Sequence, residues 1–543
     1  MDNGEKEWIS NLRGRKENKQ VYMPLVFSLV LAFGVLLGYM VNSVTTGKTS
    51  IIASSGYDKI QEVLRHIQWK YVDTVNTARL TDMTIDQMLS NLDPHSVYIP
   101  AREMAETNEQ LEGNFEGIGI EFFIVQDTIT VVNAIPGGPA ESLGIRAGDR
   151  IVKINDTIVA GIKIKETDVK KKLRGPSRTQ VKVSILRAAE SKPIDYVITR
   201  GKIPLISVDA GYMIDSRTGY IRVSNFSATT ANEFREKLNI LRDAGMQHLI
   251  LDLRGNPGGY LQAATEMVDE LLDDGKLIVY TTGKATPRTE YKSHRAGLFE
   301  DGKVCVLIDQ WSASASEIMA GAIQDWDRGI VVGRNSFGKG LVQEQFRLRD
   351  GSGLRLTVSR YYTPSGRCIQ RDYKNGKDNY YEQINERYFS DEFPLSDTLP
   401  ASDTVTYKTL LKGRKVYGGG GIHPDVFVPV DTTAPAVYLR KIRSYIPEFV
   451  YKETSLHPDM LKGYTSVADF ASRFTVSDGT LNEFYRYATG RGLNKDDKKF
   501  TALSDKIKLY IKAHIAKQLW RMDGYYYIAN TDDEVIRAAL KQF

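Results

Sequence analysis

Cysteine is almost missing from this chain: two, Cys305 and Cys368, in 543 residues. That is too few for a disulfide-stapled scaffold or a structural zinc site, and spacing alone does not say whether the two pair. Seven histidines include no His-Glu-x-x-His pair, which argues against a zincin-type metalloprotease. A dominant charge is missing too. Seventy-two Lys and Arg stand against 67 Asp and Glu, a net of +5, which gives no reason to expect a nucleic-acid partner. There is no internal repeat of roughly 20–50 residues, so a solenoid or propeller is not indicated. What remains is ordinary globular usage, 42% apolar and 26% charged. That composition excludes wholesale disorder or a fibrous repeat, and the length predicts about three or four folded units.

Long apolar runs are scarce as well, with one exception. Val21 to Val41 is 21 residues without a charge, about the length a spanning helix needs. Lys6, Arg13, Arg15, Lys16 and Lys19 precede it and only Lys48 closely follows. This asymmetry predicts a cytoplasmic tail (1–20), a transmembrane anchor (21–41) and the remainder on the periplasmic or extracytoplasmic side. A cleaved signal peptide is the rival reading. Its apolar region is shorter, about 7–15 residues, and ends at a small-x-small site that is not found here.

Residues 54–110 read as a helical region, with Ile60, Val63, Leu64 and Ile67 at helix spacing and Leu92-Asp93-Pro94-His95-Ser96 as a turn out of it. From 111 to 200 the pattern turns to short β runs punctuated by glycine. Gly117-Ile118-Gly119-Ile120 runs into a strand, and GPAESLGIRAGDRIVKIND follows. This arrangement resembles a PDZ domain, which the family builds from β-strands and two helices. The resemblance implies a loop at Gly117, Ile118, Gly119 and Ile120 whose backbone N–H groups hold a peptide's terminal carboxylate while the peptide adds as a strand. Residues 201–433 alternate strands with helix-like stretches, an α/β signature. Residues 434–543 are helical in pattern and rich in Lys, Arg, Tyr and Leu. Gly418 to Gly421 reads as a hinge.

Three segments of the α/β region carry chemistry. LDLRGNPGG (251–259) is an apolar strand running into a glycine-rich turn, a geometry that aims N–H groups at an anion or a developing oxyanion. Trp311-Ser312-Ala313-Ser314-Ala315-Ser316-Glu317 places small residues at a strand-to-helix junction, with Glu317 as a dipole-favoured first-turn acid. Gly333-Arg334-Asn335-Ser336-Phe337-Gly338-Lys339-Gly340-Leu341-Val342-Gln343 holds a lysine between glycines. That last segment approaches a P-loop, but Gly340 stands where Ser or Thr must ligate magnesium, and strand rather than helix follows. Joined to the serine segment it makes better sense. A serine needs a base, and a buried lysine whose pKa falls toward neutrality can serve.

Together these segments, with LTVSRYYTPSGRCIQ and GGGGIHPDVFVPVD, closely resemble the carboxy-terminal processing peptidases, or tail-specific proteases. The resemblance spans about residues 57–430. It implies a Ser/Lys endopeptidase with an embedded PDZ domain: Ser314 as nucleophile, Lys339 as general base and Gln343 orienting the lysine. It further implies an oxyanion hole from Ala315 N–H and one N–H of the turn, Gly259 favoured over Gly258, with Asp325 supporting the site. No metal or cofactor is called for. Two regions depart from the simplest pattern. Residues 371–417 read as a charged, Tyr-rich surface excursion, and 434–543 as an extension able to cap the site, oligomerise the chain or bind an adaptor.

The expected architecture is thus α/β and multidomain: N-terminal transmembrane helix, small helical domain (54–110), PDZ domain (111–200), protease core (201–433) and helical C-terminal extension. The expected partners are proteins with apolar C-terminal tails, with the PDZ position gating the site. The alternative is a non-catalytic PDZ scaffold or chaperone on a protease-like fold.

Overall fold

The computed structural model describes residues 17–48, 56–187, 190, 192–389 and 405–543. The chain divides into two units, Met1–Ile85 and Asp86–Phe543. The first holds the helices Glu17–Lys48 and Gly56–Lys70 and most of Thr77–Ser90. The apolar run anticipated as an anchor lies inside the first of these helices. Its described side chains, such as Phe27 and Leu31, are exposed. Among the described residues no helix is long and apolar enough to cross a membrane. The expected cytoplasmic tail falls largely outside the described residues, as do the side chains of Val21, Tyr22, Tyr39 and Val41 at the ends of the expected span.

The second unit opens differently from the helical reading of 54–110. Residues Val97–Ile99 form a strand paired antiparallel to Gly353–Arg355, so the Leu92–Ser96 turn belongs to a sheet some 260 residues away in sequence. Helix Met104–Glu112 then leads to Asn114–Gly117, which pairs antiparallel with Gly201–Pro204. Everything between these strands is an insertion on a two-strand stalk. It forms a six-stranded sheet in the order Ile120–Val125, Thr128–Ala134, Arg150–Ile154, Gln180–Leu186, Ile194–Thr199, with Thr157–Ile158 beside Arg150–Ile154. The helices Pro139–Ser142 and Glu166–Leu173 accompany it. The two tight hairpins turn at Gln126-Asp127 and Asn155-Asp156, each with positive φ at both residues. That is the type I′ geometry whose twist matches the flanking strands, and Asn and Asp tolerate it. Ile118, Val131, Ile151, Val169 and Val183 fill the core between sheet and helix.

The α/β core is a six-stranded sheet: Val208–Met213, Thr218–Val223, His248–Asp252, Lys303–Ile308, Gly329–Gly333, Val426–Phe427. Only the first pair is antiparallel. The parallel strands read as unbroken apolar runs because both faces are covered. Helices Thr230–Asp243, Leu261–Asp269 and Ala315–Asp325 pack on one face. The other is closed by Val535, Ile536 and Ala539 of the extension's last helix, Glu534–Leu540. The extension therefore covers the back of the sheet. It makes its own core, from Ile442 and Phe449 to Phe484 and Ile511, and reaches the inserted module, where Tyr451 Oη donates to Val131 O at 3.0 Å. Cys305 lies buried in a core strand, and both cysteines are free.

Two expectations are corrected here. Residues 371–417 are more than a surface excursion. Tyr380, in the helix Lys377–Phe389, is 1% exposed, and Arg414 Nε donates to Asp327 Oδ1 at 2.6 Å. Nor is Gly418–Gly421 a hinge, because Gly419 N and Gly421 N donate to Cys368 O and Ile369 O at 2.8 and 2.9 Å. Both segments looked exposed because their partners are remote in sequence.

Asp325 ends the Ala315–Asp325 helix and meets Arg367 Nη2 at 2.7 Å, both side chains fully buried. Removing one partner of such a pair leaves a buried charge without its counter-ion. Asp325→Ala is therefore expected to lower unfolding stability by about 3–5 kcal/mol, read from denaturant titration followed by tryptophan fluorescence.

Candidate active site

Ser314 sits where the strand Lys303–Ile308 gives way to the helix Ala315–Asp325. It is a non-glycine residue at φ 56° and ψ −112°, a conformation held only by its surroundings. The NPGG turn packs against it so closely that a Cβ on Gly258 would lie 2.7 Å from Ser314 Cβ and 2.9 Å from Ala315 N. A Cβ on Gly259 would lie 2.0 Å from Phe226 O. Glycine is required at both.

The hydrogen bonds separate the two glycines, which the motif alone did not. Gly258 N–H donates to Asn256 Oδ1 at 2.9 Å. Gly259 is bracketed by Phe226, whose N donates to Gly258 O and whose O accepts from Tyr260 N. Among the described residues the N–H groups of Gly259 and of Ala315, the first helical residue, have no acceptor. First-turn amides of a helix have no intrahelical partner, and one beside a second unspent amide makes a ready anion site.

Lys339 reaches the same cleft from the loop before the strand Leu341–Arg347. Gly258, Gly259, Ser314, Ala315, Lys339, Gln343, Arg355 and Tyr361 all line this cavity of about 1220 Å³. Burial lowers the lysine's pKa, Arg355 lowers it further, and Glu317 and Asp93 oppose them, leaving it at about 8. No hydrogen bond joins Lys339 Nζ to Ser314 Oγ or to Gln343, whose Nε2 donates to Thr357 Oγ1 at 3.2 Å. Asp325 lies at the far end of the helix, roughly 16 Å from Ser314. The loop Gly117–Ile120 sits in the inserted module. Gly119 adopts φ 77°, and Ile118 O and Gly119 O are taken by Ala140 N and Ile135 N. It opens onto Ile120–Val125, the edge strand of its sheet, a position that can receive an added strand.

Glu317 does more than favour the helix dipole. Its fully buried carboxylate accepts from Ser314 N (2.8 Å), Ser336 Oγ (2.5 Å), Gly338 N (2.7 Å) and Lys339 N (2.9 Å). Burial holds the carboxyl up, and the four donors pull it back to about 7. Tyr361 Oη closes the other side, toward Lys339 O at 2.6 Å and Ser314 O at 3.1 Å. The lysine loop is further held by Arg371 N to Gly338 O (2.9 Å) and Gly340 N to Gln370 Oε1 (2.8 Å). Tyr380 packs edge-on to Phe337 and His95 beneath it. His95 is kept neutral, its pKa lowered to about 3 by burial and then by Lys339. Sequence reasoning missed Tyr361, Tyr380 and His95, and gave Glu317 only a capping role. Their partners are set by the fold.

A model of peptidase family S41 matches residues 217–376, and a PDZ-domain model matches 130–187, just after the glycine loop. A family of unknown function, DUF8443, matches 438–521 in the extension. The carboxy-terminal processing protease CtpB of Bacillus subtilis is 33% identical over 367 residues, 66% of this chain and 75% of its own. The chain belongs to the carboxy-terminal processing proteases. A second such protease, from Bartonella bacilliformis, is 34% identical over 313 residues, 57% of this chain and 71% of its own. The solved photosystem II D1 C-terminal processing protease shares 29% identity over 60% of this chain and 92% of that one, with a TM-score of 0.34. This protease is serine-type and carries a PDZ domain within an S41 fold.

If Lys339 acts as a base it does so neutral, so activity rises with pH. The acidic limb of log kcat/KM is expected to climb with unit slope and bend near pH 8. Glu317→Gln removes a charge that favours the ammonium and is expected to move this bend to lower pH while kcat falls. Stopped assays on a peptide substrate across pH 6–10 read both effects.

Proposed function

We propose that this chain is a membrane-anchored endopeptidase that captures proteins by apolar C-terminal tails and cleaves them with a Ser314/Lys339 pair. One observation carries the reading. A single buried carboxylate, Glu317, fixes the backbone of both Ser314 and Lys339 beside two unspent N–H groups. A tail adds along Ile120–Val125 with its carboxylate on the Gly117–Ile120 loop, and the chain extends into the cleft. Neutral Lys339 takes the Ser314 proton as Oγ attacks the carbonyl, for which Nζ must come within about 3 Å of Oγ. Gly259 and Ala315 N–H groups stabilise the oxyanion, each contributing about 3–4 kcal/mol in enzymes that use such donors. Lys339 then protonates the leaving amine, and water hydrolyses the acyl-enzyme. Gln343 orients the lysine. A non-catalytic scaffold is not favoured by any feature of this cleft.

The anchor reading rests on the uncharged run Val21–Val41 within the helix Glu17–Lys48, with exposed apolar side chains from Met23 to Met40. The charge asymmetry around it supports an extracytoplasmic protease.

The full chain should cleave a loosely folded protein ending in an apolar tail, while Ser314→Ala and Lys339→Met should lose at least about 10³-fold in kcat. Cleavage by Ser314→Ala at the wild-type rate would sink the nucleophile assignment. Anchoring predicts that the chain stays with the membrane fraction through alkaline carbonate washing and is freed by detergent. Release by carbonate alone would mean a peripheral or cleaved form.

A further inference from the structure

Two hydrogen bonds decide which way the Gln343 amide faces. Gln343 Nε2 donates to Thr357 Oγ1 at 3.2 Å, and Thr357 Oγ1 donates to Asp93 Oδ1 at 3.0 Å. A threonine hydroxyl has one proton. Once that proton is committed to the carboxylate, the oxygen can only accept, so the amide must turn its NH2 toward Thr357. Oε1 then points the other way, and among the described residues nothing donates to it.

The proton's direction is secured in turn by the Leu92–Ser96 segment. Asp93 is buried and accepts from His95 N (2.8 Å), Ser96 N (2.9 Å) and Ser96 Oγ (2.5 Å). Ser96 Oγ accepts Thr357 N–H at 3.1 Å, so Thr357 is gripped by backbone and side chain alike. Strand pairing supplies the rest. Val97–Ile99 zips onto Gly353–Arg355, and Gln343 lies directly opposite Thr357 after a register shift between Val342 and Gln343. Such irregularities re-aim side chains beside active sites.

We infer that Asp93 and Thr357 are positioning residues of the proteolytic reaction, fixing the Gln343 amide so that its carbonyl, not its NH2, is offered to Lys339. This rests on the reading of Lys339 as base and Gln343 as its partner. With Oε1 presented, Gln343 accepts a hydrogen from the lysine amine and leaves the nitrogen lone pair for the serine proton. Flipped, its NH2 faces an ammonium, donor against donor. The charged and titratable groups facing Lys339 are Arg355 and Tyr361 from the strand Gly353–Tyr362, Glu317 from the helix Ala315–Asp325, and Asp93 and His95 from the Leu92–Ser96 segment.

The test uses the full chain, a quenched fluorescent peptide ending in an apolar tail, and pH 6–10, with thermal unfolding confirming that each variant is folded. Thr357→Val keeps the shape and removes the proton without changing any charge near Lys339. Expected is a 10–100-fold fall in kcat with KM within about twofold, and an acidic limb displaced to lower pH because the ammonium has lost an acceptor. Thr357→Ser restores the hydroxyl and should restore kcat. Gln343→Ala should fall by a similar factor, with Thr357→Val adding nothing to it in the double variant. Independent, multiplying effects, or wild-type kcat in Thr357→Val beside an impaired Gln343→Ala, overturn the inference and leave the Ser314/Lys339 reading standing. Wild-type kinetics in Gln343→Ala overturn the role of Gln343 itself, and this inference with it.

Discussion

Among the described residues Glu317 is a buried carboxylate in no ion pair, a costly placement that the protein offsets with four donors from two separate segments. Those donors are the reason the N-terminus of the Ala315–Asp325 helix and the Ser336–Lys339 loop come together. Each amide satisfied there fixes a backbone position that carries, or adjoins, a side chain of the proposed Ser314/Lys339 pair. Tyr361 repeats the arrangement with the opposite polarity, its phenol approaching the carbonyls of Ser314 and Lys339. A serine at positive φ is strained and burying a lysine amine is costly, and this double clasp holds both positions in place.

The rest of the unit is arranged around that clasp in layers. The apolar face of the helix binds it to the six-stranded sheet, and the extension seals the sheet's far side. Asp533 of the extension accepts from Arg254 Nη1 at 2.8 and 3.1 Å, and Arg254 is also paired to the buried Asp252, so the strand feeding the NPGG turn is braced from behind. The same extension touches the PDZ module through Tyr451 and its ring contact with Phe123. A module on a two-strand stalk thereby gains a second point of attachment.

The chemistry-bearing segments were legible because each is local. A strand followed by NPGG, a run of small residues opening a helix, and a lysine between glycines all state their geometry within about ten residues. The misreadings have one cause. Residues 371–417 read as a surface excursion and Gly418–Gly421 as a hinge, yet each is held by partners distant in sequence: Phe337 and Asp327 for the first, Cys368 and Ile369 for the second. Polar or glycine-rich composition looks like solvent exposure unless the partner that satisfies it is known.

The sequence alone therefore determined which segments are available for chemistry: the small-residue run with its serine, the lysine between glycines and the NPGG turn. It also determined the alternation of strands and helices that makes an α/β sheet, since apolar period and turn residues are local properties. Only the tertiary structure decided which of two glycines keeps its N–H unspent, which carboxylate joins the serine to the lysine, and which way the Gln343 amide faces. Hydrogen bonds are satisfied pairwise, and in a folded chain the second member of the pair is chosen by the fold.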